Sequence, residues 1–250
     1  MKSVLVTGGA KRVGKVVVQR FAEAGWHVVI HCNTSRDAAD ALAAQLPSAE
    51  VVQTDLCDAE AAVATVRELA ARLEDFRAIV SSASVFTKDD ASDFDPATCR
   101  EAMQVNAVTP VRMAQAFFDH ARSTGGRVFV QITDQKLRNI NPDFFSYTMS
   151  KAAVASAVDM LGMTAKGRDR AYAIAPGAIL PSHDQSEEEA QRSHRMNLLQ
   201  RRTRPEEIAE AALMMAGGHL KSGTHLYVDS GQHLLDQDRD VIFLARGEAA

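Results

Sequence analysis

The chain is poor in cysteine: three residues in 250, Cys32, Cys57 and Cys99, widely spaced and odd in number. No CxxC pair or histidine-rich partner accompanies them, so neither a disulfide framework nor a zinc site is expected, and no metal is assigned. Long apolar runs are missing as well. The first run, in MKSVLVTGGAKRVG, is too brief for a signal-peptide core or a membrane span, and a cytoplasmic protein is expected. Nor is there a surplus of positive charge. With 28 lysines and arginines against 32 acids the formal net charge is −4, which argues against a general binder of nucleic-acid backbones. No repeat, linker or low-complexity segment divides the sequence, so residues 1–250 are read as one domain, long enough to bury most of its apolar surface.

What the sequence does contain is strand and helix patterns in alternation. Ser3 to Val6 is a β-branched apolar run that stops at Thr7-Gly8-Gly9, before helical apolar spacing at Val17, Val18, Phe21 and Ala22. Further strands are expected at Trp26 to Ile30, Val51–Val52, Ala78 to Val80, Arg127 to Thr133, Ala171 to Ala175 and Thr224 to Val228, with helices between them, including one long helix from about Ala97 to Arg122. This order predicts an α/β fold, a doubly wound Rossmann-type sheet of about seven parallel strands with helices on both faces. The polar stretch 182–204 reads as a mobile substrate lid containing a helix. The tail, 232–250, carries an apolar run, Val241-Ile242-Phe243-Leu244, expected to pack on a neighbouring subunit.

In such sheets ligands bind beyond the carboxyl ends of the strands, where the strand order reverses. The first turn, Thr7-Gly8-Gly9-Ala10-Lys11-Arg12-Val13-Gly14, offers close backbone approach and a helix N-terminus whose amides favour phosphate. The sequence also lacks an acid where a site for NAD would hold one, at the end of the second strand. That position is filled by His31-Cys32-Asn33-Thr34-Ser35, while Lys11 and Arg12 add positive charge in the turn. A carboxylate there would repel a 2′-phosphate and a guanidinium would bind it, so the expected cofactor is NADPH.

Tyr147 and Lys151 are four residues apart, hence on one helix face. A fixed ammonium beside a phenol favours the phenolate, so the tyrosine is expected to titrate below its ordinary value of about 10 and to serve in acid/base work. If its site is apolar and closed, the carboxyl of Asp134 would be partly protonated, since burial disfavours its charged form.

With these residues the chain resembles the short-chain dehydrogenase/reductases along essentially its whole length. The matches are the glycine turn, Asp55-Leu56, Asn106, Tyr147 and Lys151, Pro176-Gly177 and the Asp229-Ser230-Gly231 end. Within that family it is most similar to the pteridine and dihydromonapterin reductases, through Arg12 in the turn, the run from His31 to Ser35, Asp134 in place of the usual serine, and Ser84 with Phe86 after the fourth strand. The resemblance implies a catalytic set of Asp134, Tyr147, Lys151 and Asn106. It implies cofactor contacts from Gly8, Lys11, Arg12, Val13, Gly14, His31, Asn33, Thr34, Ser35, Asp55, Leu56, Ser82, Ala83, Ser84, Tyr147, Lys151, Pro176 and Gly177. It further implies substrate contacts from Ser84, Phe86, Asp134 and Tyr147, with the Phe86 ring stacked on a pterin, and a homotetramer.

Two departures stand against this pattern. Ser81-Ser82 replaces a pair of asparagines, and the threonine usual after Pro176-Gly177 gives way to Pro181 and Ser182. The expected activity is NADPH-dependent reduction of a pterin C=N. The alternatives are a carbonyl or 3-oxoacyl reductase with the same tyrosine, and a dinucleotide-binding regulatory protein with little catalysis, which the two serines motivate.

Overall fold

In the computed structural model, which describes residues 1–181 and 185–248, seven strands form one parallel sheet: β1 (Lys2–Thr7), β2 (His27–Cys32), β3 (Ala49–Gln53), β4 (Asp75–Ser81), β5 (Val128–Ile132), β6 (Arg170–Pro176) and β7 (His225–Val228). Their order is β3-β2-β1-β4-β5-β6-β7. The direction of winding therefore reverses between β1 and β4.

Successive strand side chains point to opposite faces, so each apolar run feeds two cores. Val4, Val6, Val28, Ile30 and Val130 pack on one side with α1 (Arg12–Glu23), α2 (Arg36–Ala43) and α8 (Pro205–Ala216). Leu5, Val29, Ile79 and Phe129 pack on the other with α3 (Ala59–Arg72), α5 (Thr109–His120) and α6 (Phe145–Thr164). The helical spacing of Val17, Val18 and Phe21 is explained by this. All three are fully buried, each worth about 1.5–3 kcal/mol of transfer free energy. At the opposite end of α1, the single tryptophan, Trp26, stands edge-on to Phe21 at 5.1 Å beneath the Lys2 ammonium.

The long helix expected over residues 97–122 is interrupted. It consists of α4 (Pro96–Met103), one wide π turn over Gln104–Val108, and α5. Side-chain bonds at the turn account for the break. Thr109 Oγ1 donates to the Leu56 carbonyl, 2.8 Å, and Asn106 is committed to the loop after β4. A π turn inserted in a helix is a frequent device for aiming a side chain.

The segment expected as a loose lid is packed where it is described; 182–184 lie outside the described residues. The helix α7 (Glu187–Ser193) starts with a capping box between Ser186 and Glu189, and Ser193, His194, Asn197 and Thr203 are buried. Arg202 Nε donates to the Ile179 carbonyl, 3.1 Å, and Arg201 pairs with Glu207, 2.7 Å. The tail also differs from expectation. Its apolar run forms the last helix, α9 (Val241–Arg246), which buries Ile242 and Phe243 against Phe144 and Tyr147 of the same chain. Among the described residues no helix is long and apolar enough to cross a membrane.

Candidate active site

A cleft of about 820 Å³ opens over the carboxyl ends of the strands, at the reversal between β1 and β4. All the site residues expected from the sequence line it except Thr34, Ser35 and Asn106. Thr34 and Ser35 already belong to the turn into α2, with Ser35 at the position before its first residue. Asn106 is fully buried behind the wall.

The glycine turn is built by close backbone approach. Gly8 adopts φ +64°, and a Cβ there would stand 3.0 Å from Ala83 Cα; a Cβ on Gly14 would meet the Gly8 carbonyl oxygen at 2.2 Å. Arg12 also has positive φ, 52°, where glycine is usual, at a cost of about 1 kcal/mol. Its guanidinium donates twice to the Pro181 carbonyl, both at 3.2 Å. No ion pair forms at Arg12 among the described residues. In place of asparagine amides after β4, Thr7 Oγ1 accepts from the backbone N–H groups of Ser82, 3.0 Å, and Ala83, 3.1 Å.

His31, expected as a cofactor contact, borders the cleft and also braces the turn from behind. It is buried, its Nδ1 accepts from the Gly8 N–H at 3.3 Å, and its Nε2 lies 3.0 Å from the Thr54 carbonyl. These partners assign the neutral ring with its proton on Nε2. Burial lowers its pKa to about 4. The histidine thus ties the turn to the ends of β2 and β3. Asp55 accepts from the Cys57 N–H, 2.9 Å, and from Asn33 Nδ2, 3.4 Å.

On the far side, the segment after β5 and the first two turns of α6 bring Asp134, Tyr147 and Lys151 together. The Tyr147 hydroxyl donates to Asp134 Oδ2 at 2.7 Å, while Asp134 Oδ1 accepts from the Lys136 N–H at 2.9 Å. Lys151 Nζ donates to the Ile132 carbonyl, 2.9 Å, and lies 5.5 Å from the Tyr147 ring centre. Burial raises the Asp134 carboxyl, in the direction expected. For Tyr147 the expectation reverses. Burial, followed by the adjoining Asp134 charge, pushes the phenol well above its ordinary value. Stripping water from a phenolate and placing it beside a carboxylate both disfavour the anion. Lys151 is itself lowered by burial to about 8.

Asn106 holds the loop after β4. Its Oδ1 accepts from the Val85 N–H, 2.9 Å, and the Ser84 hydroxyl, 3.1 Å; its Nδ2 donates to the Val85 carbonyl and to Ser150 Oγ, both 3.0 Å. That loop presents Phe86, whose ring is 44% exposed and hence not a core residue. One face of it is covered by Phe144, 4.1 Å between ring centres and 21° from parallel, and Tyr147 meets it edge-on at 4.7 Å. Phe144 is held in the left-handed region, φ 52°.

Phe144, which the sequence left open between core and substrate-facing, lines the cleft, and several further lining residues were not anticipated: Lys136, His194, Gln232, Asp240 and Phe243. Gln232 Oε1 accepts from the Ala178 N–H, 2.9 Å, and so shapes the segment after Gly177 where the usual threonine is missing. His194, Gln232, Asp240 and Phe243 carry no local sequence signal, because each reaches the cleft from an element distant in the chain from Asp134 and Tyr147.

Comparison with known proteins is consistent with this architecture. Residues 8–233 match a family model described as enoyl-(acyl carrier protein) reductase. A solved structure of FolM alternative dihydrofolate reductase 1 from Brucella canis, complexed with NADP, superposes with a TM-score of 0.89 at 34% identity, covering 96% of each chain. A putative ketoacyl reductase 2 of granaticin polyketide synthesis from Streptomyces violaceoruber is 27% identical over 92% of this chain and 96% of its own. Dihydromonapterin reductase from Escherichia coli is 23% identical over 92% and 96% respectively. With one family model spanning most of its length and a relative a third identical from end to end, the chain belongs to the short-chain dehydrogenase/reductase family.

Proposed function

We propose that the protein is an NADPH-dependent reductase of a pterin C=N bond, of the dihydropterin or dihydrofolate kind, working as a cytoplasmic homotetramer. The observation that carries this reading is the 2.7 Å contact between the Tyr147 hydroxyl and the Asp134 carboxyl, part-buried in the cleft beside a partly exposed Phe86. A serine at residue 134 could only hold a carbonyl oxygen. A carboxyl can hold and release a proton.

The residues suit a phosphorylated dinucleotide. The backbone at Gly8 and Gly14 closes too tightly on itself to admit a side chain, the start of α1 lines the cleft, and Lys11 with Arg12 supplies positive charge beside a β2 end free of acid. The Brucella relative was solved with NADP. When bound, the cofactor supplies a hydride. Phe86 would hold the flat ring, Ser84 its polar edge, and Lys151 the nicotinamide ribose. Tyr147 and Asp134 would deliver a proton to the ring nitrogen as the neighbouring carbon is reduced, so that C=N becomes CH–NH. Tyr147, raised by burial, keeps its proton until that moment, and burial raises Asp134 as well, which favours passage of a proton through its carboxyl.

NADPH consumption with a dihydropterin, set against an acetoacetyl thioester, tests the assignment. Turnover of the pterin is expected, and Asp134→Ser should lower it about 100-fold while sparing or improving the thioester. Turnover of the thioester alone would favour a 3-oxoacyl reductase, the second reading, which the Streptomyces ketoacyl reductase match supports.

A further inference from the structure

The mechanism leaves one buried charge pair at the cleft unused. Lys136, almost wholly enclosed, sends its ammonium to Asp240 Oδ2 at 3.1 Å and lies 5.4 Å from the Phe144 ring centre. Asp240 is the residue before α9, and its other oxygen accepts from the Ile242 N–H at 3.1 Å. Its own N–H donates to Asp143 Oδ2, 2.7 Å, which Arg239 also binds at 2.9 Å. The start of α9 is therefore fixed on two sides to the segment that precedes α6. An ion pair this deeply enclosed carries a desolvation cost, so its value lies more in fixing position than in net stability.

What it positions is an aromatic column. Phe243 of α9 stands 6.0 Å from Phe144 and 22° from parallel; Phe144 stacks on Phe86 at 4.1 Å and 21°. Phe86 presents the free end of the column to the cleft. Lys88 Nζ, 4.9 Å from the Phe243 ring centre, and Arg239, 4.6 Å from it, close the other end. Beyond the column α9 is anchored to α7, where Arg192 Nε donates to the Ala245 carbonyl, 3.1 Å, and Arg246 pairs with Glu189, 3.2 Å.

We propose that α9 is a specificity-determining wall supplied by the same chain. Phe243, pinned by the Lys136–Asp240 pair, backs the Phe144–Phe86 slab and so selects flat, multi-ring substrates. This rests on the proposed ring-binding role of Phe86. It adds Phe243, Lys136 and Asp240 as positioning residues that act on the substrate through Phe144 and Phe86. Stacked aromatic pairs add binding beyond their buried area, but only when the rings are held at the right spacing. A slab without its backing would let Phe86 swing and would weaken capture of the ring, an effect read in KM, whereas any change in the charges of Asp240 and Lys136 felt by Tyr147 and Asp134 is read in kcat.

Steady-state kinetics with a dihydropterin and calorimetric NADPH binding test this on the full-length protein. Phe243→Ala should lower kcat/KM about tenfold, with the change carried by KM, and leave the NADPH Kd within about twofold. Phe243→Tyr should restore the wild-type KM. Lys136→Met and Asp240→Asn should each raise KM, and the double variant should do no worse than the more impaired single one, as expected for two ends of one contact. An unchanged KM in Phe243→Ala would overturn the proposal, and so would a parallel loss of NADPH affinity, which would mark α9 as general scaffolding. If the wild-type protein turns over no dihydropterin, the proposed function fails first. The wall is then read from calorimetric binding of an oxidised pterin to the protein with NADP: binding lost in Phe243→Ala supports it, and equal binding or none in both proteins overturns it.

Discussion

The proton that Tyr147 donates to Asp134 lies in the wall of the cleft, largely withdrawn from solvent, and that withdrawal decides which form of the phenol is favoured. With the phenol raised well above its ordinary value by burial, Tyr147 holds its proton at neutral pH, as the proposed donor must. Tyr147→Phe should therefore reduce turnover by about 10²- to 10⁴-fold, measured as NADPH consumption, while calorimetry finds cofactor binding nearly intact. The same reasoning by charge applies to Arg12. Its guanidinium hydrogen-bonds only a backbone carbonyl, Pro181, and pairs with no acid among the described residues, so it is free to meet a phosphate. Arg12→Ala should raise the Kd for NADPH about tenfold or more and that for NADH much less, a charge-assisted bond being worth about 1.5–3 kcal/mol. Equal losses for the two nucleotides would remove the assigned role. At this scale the sequence was informative where the chemistry depends on spacing within one turn, as with Tyr147 and Lys151. It misled where burial sets the sign: nothing in YxxxK tells that the carboxyl at 134 stands nearer the phenol oxygen than any cation does.

Among the elements, the β1–α1 turn was legible because its requirements are local. Glycines at 8 and 14 are demanded by a backbone that touches itself, and any side chain at Gly14 must displace the Gly8 carbonyl. Gly14→Ala should thus abolish measurable NADPH binding in calorimetry, with a far smaller effect on far-UV circular dichroism, since the sheet does not depend on that contact. The π turn at Gln104–Val108 had no such signature. Its residues are ordinary helix formers, and the extra residue is accommodated because Asn106 and Thr109 find partners in β4's loop and at Leu56. The helix α9 was legible as an apolar run but not in its destination. Its partners, Lys136 and Phe144, lie about a hundred residues earlier, and a strained, left-handed Phe144 reveals itself only when the chain around it is in place.

For the whole molecule, His31 couples the stability of the sheet to pH. Its folded pKa of about 4 lies below the ordinary 6.5, so the unfolded chain takes up a proton that the folded one refuses. Stability from this source is complete above 6.5 and is lost as pH falls toward 4, amounting to about 2 kcal/mol between pH 7 and pH 5. Urea midpoints at those two pH values should show the loss in the wild-type protein and a clearly smaller one in His31→Asn, which keeps an acceptor for the Gly8 N–H but cannot titrate. A shift of equal size in both proteins would assign the acid sensitivity elsewhere. The overall architecture was readable because strand and helix periods, glycine turns and the order of elements all agree on one parallel sheet, with the cleft dictated by where the winding reverses. The lone indole offers a way to watch this happen. Trp26 lies against Phe21 where β2 begins, at the end of the sheet away from the cleft, and is 7% exposed. Its emission should move to longer wavelength as α1 separates from β2, so intrinsic fluorescence can follow the acid transition of the unlabelled protein directly.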